Sequence, residues 1–259
     1  MELGLQGKVA AITGGSEGVG YATALTLARE GARVAICARR EDVLEDAARR
    51  IRQESGGEVL AVQADVTKAE ECRNFIDRVA DHFGQLDILV NNAGRSAAKP
   101  FESVDDETWA EDLDLKLHAA IRCSRAAVSH MKERGGRIIL ITTPGGKTPG
   151  PSSVPTSVSR AAGIALSKAM SKDLAKFGIL VNTVCLSNIK TAQGVRAWQA
   201  SGGDVSLEEY WARQGQKVLI GRMGEPGEVA DLIAFLVSDR GAFITGASIN
   251  IDGGNAGAV

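Results

Sequence analysis

A glycine-rich segment near the start of the chain has the residue types and spacing that bind a phosphate. It reads Thr-Gly-Gly-Ser-Glu-Gly-Val-Gly over residues 13–20, after a short apolar run and before an amphipathic stretch. Glycines permit a tight turn and let backbone N–H groups approach a pyrophosphate at a helix N-terminus. The segment predicts a nucleotide site whose contacts are Gly14, Ser16, Glu17, Gly18, Val19 and Gly20.

The residues at the end of the second apolar run indicate which nucleotide the site binds. In doubly wound dinucleotide-binding folds, an acidic side chain at the end of the second strand accepts hydrogen bonds from a ribose 2′-hydroxyl, whereas an arginine accommodates a 2′-phosphate. The chain has Arg39 and Arg40, and no carboxylate before Glu41. NADP(H) is therefore favoured over NAD(H), with Arg39 as the phosphate contact, although Glu17 in the glycine segment opposes a phosphate. The alternative is that the two arginines form only a solvated charged turn.

The elements that position these residues alternate along the chain. Short β-branched apolar runs predict strands at 8–13, 33–38, 58–63, 86–90, 137–142, 179–184 and 248–251. Amphipathic patterns predict helices at 18–30, 41–54, 69–83, 105–133, 155–177 and 226–237. Apolar strands separated by helices are typical of βαβ units around a parallel sheet. We expect one doubly wound α/β domain over residues 1–259.

Two segments interrupt this alternation. Residues 144–155 hold four prolines, and residues 188–216 are polar and include Trp198, Tyr210 and Trp211. Both follow predicted strands, and ligands in doubly wound folds bind beyond the carboxyl ends of the strands. We interpret residues 188–216 as a substrate lid, in which Tyr210 is a phenol that could complete the site. Two ordinary surface loops, and an aromatic cluster that packs a lid helix, are the alternatives.

Composition excludes several classes of function. The 30 Lys and Arg against 32 Asp and Glu give a net charge of −2, which argues against a nucleic-acid or anionic membrane partner. The four cysteines are far apart and the three histidines lack ligand spacing, so we expect reduced thiols and no metal. With neither a signal pattern nor an apolar run of membrane length, we expect a cytoplasmic protein that acts on a small molecule.

Four motifs occur in the order and spacing of one protein family. They are the glycine segment at 13–20, Ala-Asp-Val at 64–66, Asn-Asn-Ala-Gly at 91–94 and Ile-Asn-Ile-Asp-Gly-Gly at 249–254. The chain resembles the short-chain dehydrogenase/reductase family, and most of all its 3-oxoacyl-carrier-protein-reductase-like members. The resemblance implies a Rossmann-type fold with a seven-stranded parallel sheet, a nicotinamide cofactor and a homotetramer. It also implies further cofactor contacts at Asp65, Val66, Asn92, Ala93, Gly94, Ile189 and Thr191.

The same resemblance shows that the catalytic residues of the family are replaced. Members transfer hydride with a serine, a tyrosine and a lysine spaced Tyr-x-x-x-Lys, and an asparagine on the preceding long helix. By spacing, Thr143 stands at the serine position and Thr156 at the tyrosine position. Arg160 stands at the lysine position, where it would also bind the cofactor, and Lys116 at the asparagine position.

The loss of the tyrosine is the most serious change. The only tyrosines are Tyr21 and Tyr210, and neither begins a Tyr-x-x-x-Lys motif. Thr156 alone is a far weaker acid than a phenol, and removing a positioned general acid costs about 10²–10⁴ in rate. Lys116, close to Arg160 in the implied site, could have a lowered pKa and act as an acid, base or nucleophile. Alternatively, it pairs with Asp112 or Asp114.

Three functions remain open at this point. The first is an NADP(H)-dependent oxidoreductase that acts on a carbonyl, hydroxyl or enone substrate with a non-standard proton donor. The second is a non-redox enzyme on the same fold, such as a lyase, isomerase or hydrolase. The third is a catalytically inactive, cofactor-binding subunit.

Overall fold

The computed structural model describes residues 2–202 and 204–258 and contains one seven-stranded sheet. All strand pairs are parallel, in the order β3-β2-β1-β4-β5-β6-β7. The strands are β1 (Val9–Thr13), β2 (Arg33–Ala38), β3 (Val59–Gln63), β4 (Ile88–Asn91), β5 (Gly136–Thr142), β6 (Ile179–Leu186) and β7 (Ser248–Ile251). The predicted seven-stranded parallel sheet is confirmed.

Helices cover both faces of the sheet. They are α1 (Gly18–Arg29), α2 (Glu41–Ser55), α3 (Ala69–Phe83), α4 (Asp106–Leu113), α5 (Ala119–Met131), α6 (Thr156–Leu174), α7 (Ala192–Ala200), α8 (Leu207–Gly215) and α9 (Pro226–Val237). Apolar side chains of α1, α2 and α9 pack on one face, and those of α3, α5 and α6 on the other. Because both faces are covered, the central strands are continuously apolar, which is typical of a doubly wound fold.

A π-turn divides the helical pattern predicted at 105–133. It spans Asp114–His118 and connects α4 to α5 without a break in the helical path. A π-turn inserts one extra residue into a helix and often occurs at functional sites. Lys116 lies in this turn, and its side chain is fully buried, so the turn directs the amine into the protein.

The segment that the sequence predicts as a lid forms a helical hairpin whose two ends are joined by backbone hydrogen bonds. The backbone N–H of Lys190 donates to the carbonyl of Gly224 (2.9 Å), and the N–H of Gly224 donates to the carbonyl of Asn188 (2.8 Å). The lid therefore occupies residues 188–224, eight residues more than the sequence predicts. Within it, α7 and α8 pack so closely that a Cβ on Gly194 would lie 2.2 Å from the Trp211 ring.

Two negative findings apply to the described residues. None of their helices is long and apolar enough to cross a bilayer. They also contain no group of three or more His, Cys, Asp or Glu side chains that could hold a metal ion.

Candidate active site

The glycine segment forms a tight turn between β1 and α1. Gly14 and Gly18 have φ angles of +65° and +57°, a region that favours glycine. A Cβ on Gly20 would lie 2.2 Å from the carbonyl oxygen of Gly14, so only glycine allows α1 to start this close to the turn. No side chain caps the N-terminus of α1. Its first N–H groups are thus available to an anion.

Asn92 holds the glycine turn against the end of β4. Its amide donates to the carbonyls of Thr13 (2.9 Å) and Gly14 (3.0 Å). The Thr13 hydroxyl accepts in return from the N–H groups of Asn92 and Ala93, both at 3.0 Å. The Asn92 side chain thus acts on the turn, and Ala93 and Gly94 lie beside the turn at the carboxyl edge of the sheet.

Several charged side chains lie close together at the position predicted for the cofactor ribose. Arg39 and Arg40 are exposed, and Arg40 donates to the Glu17 carboxylate at 2.7 Å. Burial acts to raise the pKa of Asp65, but hydrogen bonds from Thr67 and the nearby Arg39 charge hold it below its usual value. Val66, which follows Asp65, is buried in the core. The predicted adenine and ribose contacts therefore lie together beyond the ends of β2 and β3.

Thr156 and Lys116 meet although 40 residues separate them in the chain. Lys116 Nζ donates to Thr156 Oγ1 at 2.9 Å, and the backbone N–H of Ala97 donates to the same oxygen at 2.9 Å. A hydroxyl has two acceptor sites and one donor. With both acceptor sites occupied, the Thr156 hydrogen is left to donate to a third group.

The Lys116 ammonium is paired on its other side. It forms a short ion pair with Asp112, one helical turn earlier, and both side chains are buried. Ser159 donates to the second Asp112 oxygen at 2.6 Å. Burial, with Arg160 as a further cause, lowers the pKa of Lys116 to about 8, while Asp112 acts in the opposite direction. Lys116 therefore both pairs with Asp112 and contacts Thr156.

Arg160 places a second cation, on a partly buried side chain, beside Lys116. Its Nη1 donates to the carbonyl of Ile141 at 2.6 Å, and its Nη2 lies so close to Gly94 that a Cβ there would clash at 2.6 Å. Burial lowers the pKa of Arg160 to about 10, so it stays cationic at neutral pH. Its Nε is buried without a hydrogen-bond partner in the described structure, so a donor is left for a further ligand.

The remaining predicted residues lie near this cluster or in the lid. Thr143 follows β5 and is partly buried. Ile189 is buried at the lid base, and Thr191 lies opposite Gly18, 3.8 Å from where a Cβ would stand. Tyr210 packs edge-on against Trp211, with ring centroids 5.1 Å apart. Tyr210 does not line the cavity beside Lys116 and Arg160.

Sequence reasoning missed two contributors. The N–H of Ala97 comes from an irregular segment that pairs with the loop before α6, where the Lys99 N–H donates to the Val154 carbonyl at 2.9 Å. No residue type marks a backbone donor in a sequence. Ser159 could have been found, since it lies three residues after Thr156 and therefore on the same face of α6.

Comparisons with known proteins identify the family of the chain. A family model described as enoyl-(acyl carrier protein) reductase matches residues 14–256. A 3-oxoacyl-acyl-carrier-protein reductase from Synechocystis is 35% identical over 252 residues, which cover 96% of this chain and 97% of the relative. The chain belongs to the short-chain dehydrogenase/reductase family.

Two solved structures match the whole fold. L-Sorbose reductase from Gluconobacter frateurii, complexed with NADPH and L-sorbose, has a TM-score of 0.95 at 32% identity, with 100% of both chains covered. An NADPH-bound short-chain oxidoreductase from Pseudomonas aeruginosa, described as containing an atypical catalytic center, has a TM-score of 0.91 at 32% identity. That match covers 97% of this chain and 98% of the other.

Proposed function

We propose that the chain is an NADP(H)-dependent oxidoreductase that reduces the carbonyl of a small molecule with Thr156 as the immediate proton donor. One observation carries the proposal. The Thr156 oxygen accepts hydrogen bonds from both Lys116 and Ala97, so its hydrogen is left for a substrate oxygen. The NADPH-bound structural neighbours support the choice of cofactor for this family member.

The residues present fit a nicotinamide dinucleotide. The turn between Gly14 and Gly20 has no room for a Cβ on Gly20, and helix α1 starts directly after it without a side-chain cap. Arg39 is an exposed cation for the 2′-phosphate, and Arg160 has an unpartnered donor for a ribose hydroxyl. Thr191 would contact the nicotinamide carboxamide. When bound, NADPH supplies the hydride that adds to the carbonyl carbon.

The protein supplies the proton. As the carbonyl oxygen gains negative charge, the Thr156 O–H bond breaks and its proton passes to that oxygen. Lys116 Nζ gives a proton to Thr156 Oγ1 in the same event, so the hydroxyl is restored and Lys116 becomes a neutral amine. Ser159 and Lys116 hold the Asp112 side chain in place. Thr143 would donate a second hydrogen bond to the substrate oxygen.

Lys116 makes this relay effective. A threonine hydroxyl alone is a poor acid at neutral pH, but an ammonium group with a pKa of about 8 is a much stronger one. A catalytic acid works best when its pKa lies near the working pH. Lys116 also lines a small cavity with Ser159 and Arg160, through which it would regain a proton from solvent.

The test combines a substrate screen with matched variants at Thr156. Purified protein is mixed with NADPH and a panel of ketones, hydroxyketones and enones, and both NADPH oxidation and product formation are followed. We expect equal amounts of NADPH consumed and alcohol formed with at least one carbonyl substrate. Thr156→Val should lower kcat by about 10²–10⁴ because it removes the donor, while Thr156→Ser should stay within about tenfold.

Two outcomes would select the other functions. Conversion of a substrate without any change in cofactor oxidation state would indicate a non-redox enzyme. Cofactor binding without turnover of any substrate would indicate a catalytically inactive subunit. If Thr156→Val reduces a carbonyl as fast as the unmodified protein, Thr156 is not the donor.

We further propose a homotetramer, as the family resemblance implies. The fully exposed Phe243 and the largely exposed Leu219 give the chain apolar surface that self-association would cover. Light scattering coupled to size-exclusion chromatography measures the assembly directly, and a monomer at micromolar concentration would contradict it.

A further inference from the structure

An ionic cluster joins the lid to the glycine turn. Glu17 precedes α1, Arg40 precedes α2, and Arg196 lies on α7 of the lid. The Glu17 carboxylate accepts from Arg40 at 2.7 Å and lies 3.7 Å from the guanidinium of Arg196. One carboxylate is thus shared between Arg40, which is next to the predicted 2′-phosphate contact Arg39, and an arginine of the lid.

Two residues of the lid, Arg196 and Thr191, lie beside the glycine turn. Arg196 forms the ion pair with Glu17, and Thr191 lies 3.8 Å from where a Cβ on Gly18 would stand. The lid is internally firm, since the Trp198 indole donates to the Val205 carbonyl at 2.9 Å and Trp211 packs on Gly194. A firm hairpin moves mainly as one body, so a stronger contact between Arg196 and Glu17 favours the closed position of the lid.

The charges around Glu17 create a competition. A 2′-phosphate carries between one and two negative charges at neutral pH and attracts Arg39 and Arg40. Glu17 would repel that phosphate, and it loses Arg40 as a partner when Arg40 turns to the phosphate. Arg196 is the other arginine within 4 Å of Glu17 among the described residues. The phosphate therefore strengthens the pair between Glu17 and Arg196.

We propose that Arg196 is a specificity-determining residue that couples recognition of the 2′-phosphate to closure of the lid. A phosphorylated cofactor draws Arg40 away from Glu17, and Glu17 then holds Arg196 and with it α7. A cofactor without the phosphate leaves Glu17 with Arg40, and the lid is held less tightly. This inference rests on the proposed function, since it requires that the chain binds NADP(H).

The test measures cofactor affinity and lid protection without turnover. NADP⁺ and NAD⁺ are titrated by calorimetry into the unmodified protein, Arg196→Gln and Glu17→Gln. Because exposed ion pairs are weak, we expect Arg196→Gln to raise the Kd for NADP⁺ by about two- to fivefold and to leave that for NAD⁺ unchanged. Glu17→Gln removes the partner of Arg196, so adding Arg196→Gln to that variant should not raise the Kd for NADP⁺ any further.

Hydrogen exchange of α7 gives an independent readout. NADP⁺ should protect the amides of residues 192–200 more than NAD⁺ does at equal saturation, and Arg196→Gln should abolish that difference. Arg213→Gln is the matched control, because Arg213 pairs with Glu209 inside the lid and has no contact with the turn. This control should behave like the unmodified protein in both measurements.

The outcomes separate this inference from the proposed function. If NADP⁺ binds but Arg196→Gln changes the NADP⁺ and NAD⁺ affinities equally, or changes neither, the coupling is refuted and the oxidoreductase proposal stands. Equal protection of α7 by the two cofactors refutes the coupling as well. If the unmodified protein binds no NADP⁺, both proposals fail.

Discussion

The buried pair of Lys116 and Asp112 allows stability and catalysis to be tested separately. Both side chains are buried within the π-turn region, and the pair holds Lys116 against Thr156. We expect Lys116→Met alone to be strongly destabilising, because it removes the cation that is paired with the buried Asp112 and leaves Ser159 as its hydrogen-bond partner. The double variant with Asp112→Asn removes both charges and keeps an amide oxygen for Ser159.

The size of the expected loss of stability follows from the burial of this ion pair. Removing one partner of a buried ion pair costs about 3–5 kcal/mol, whereas replacing both partners is often close to neutral. In a chain of this size, about 2–4 °C of Tm is lost per kcal/mol, so Lys116→Met should lower Tm by about 6–20 °C. The double variant should recover most of that loss. It should not recover reductase activity, because it has no ammonium group to supply Thr156 with a proton.

The assay is a double-mutant cycle read in two ways. Thermal unfolding by circular dichroism gives the stability of the four proteins, and NADPH oxidation with an accepted carbonyl substrate gives their activity. Titration with NADP⁺ confirms that each variant still binds the cofactor. A double variant that is no more stable than Lys116→Met would refute the buried-pair argument. A stable double variant with unchanged kcat would refute the role of Lys116 as the source of the proton.

Two further predictions follow from the same structure. Burial lowers the pKa of Lys116 to about 8, and only its protonated form can donate a proton, so kcat for reduction should fall about tenfold per pH unit above pH 8 at saturating NADPH. Thr156→Ser should keep this break in the pH profile. A flat profile to pH 10 would contradict the prediction. Gly20→Ala should lower the free energy of unfolding in a urea titration by about 1–3 kcal/mol, because its Cβ would lie 2.2 Å from the Gly14 carbonyl oxygen. Gly227→Ala on α9 is the matched control and should not destabilise the protein, because no atom lies within 4 Å of the added Cβ. Equal effects of the two substitutions would show that the close approach of α1 to the turn does not determine the loss of stability.

Local sequence patterns determined the fold because each element carries its own signal. Strand β2 and helix α3 have the predicted bounds, since apolar runs and amphipathic periodicity are properties of neighbouring residues. The C-terminal end of β6 shows the limit of that reasoning. The strand extends to Leu186 because Cys185 and Leu186 pair with Asn250 and Ile251 of β7, a long-range contact that no local pattern records.

The close backbone approach at the glycine turn could also be predicted from the sequence. Glycines at fixed spacing have one main physical use, which is to bring backbone close to backbone, and Gly14 and Gly20 do so. The pairing of Glu17 with both Arg40 and Arg196 could not be predicted from the sequence. It depends on how the lid lies across the turn, and that position is set by the packing of α7 and α8 and by the bonds at the lid base.

The catalytic half shows most clearly what only the tertiary structure decided. The sequence identified Lys116, Thr156 and Arg160 as replacements for the family residues, but it left the contacts of Lys116 open. The π-turn points the amine inward, where it meets Asp112 on one side and Thr156 on the other. Residue types at given spacings determine which groups a site contains. The distances that decide whether those groups share a proton arise only when separate elements pack together.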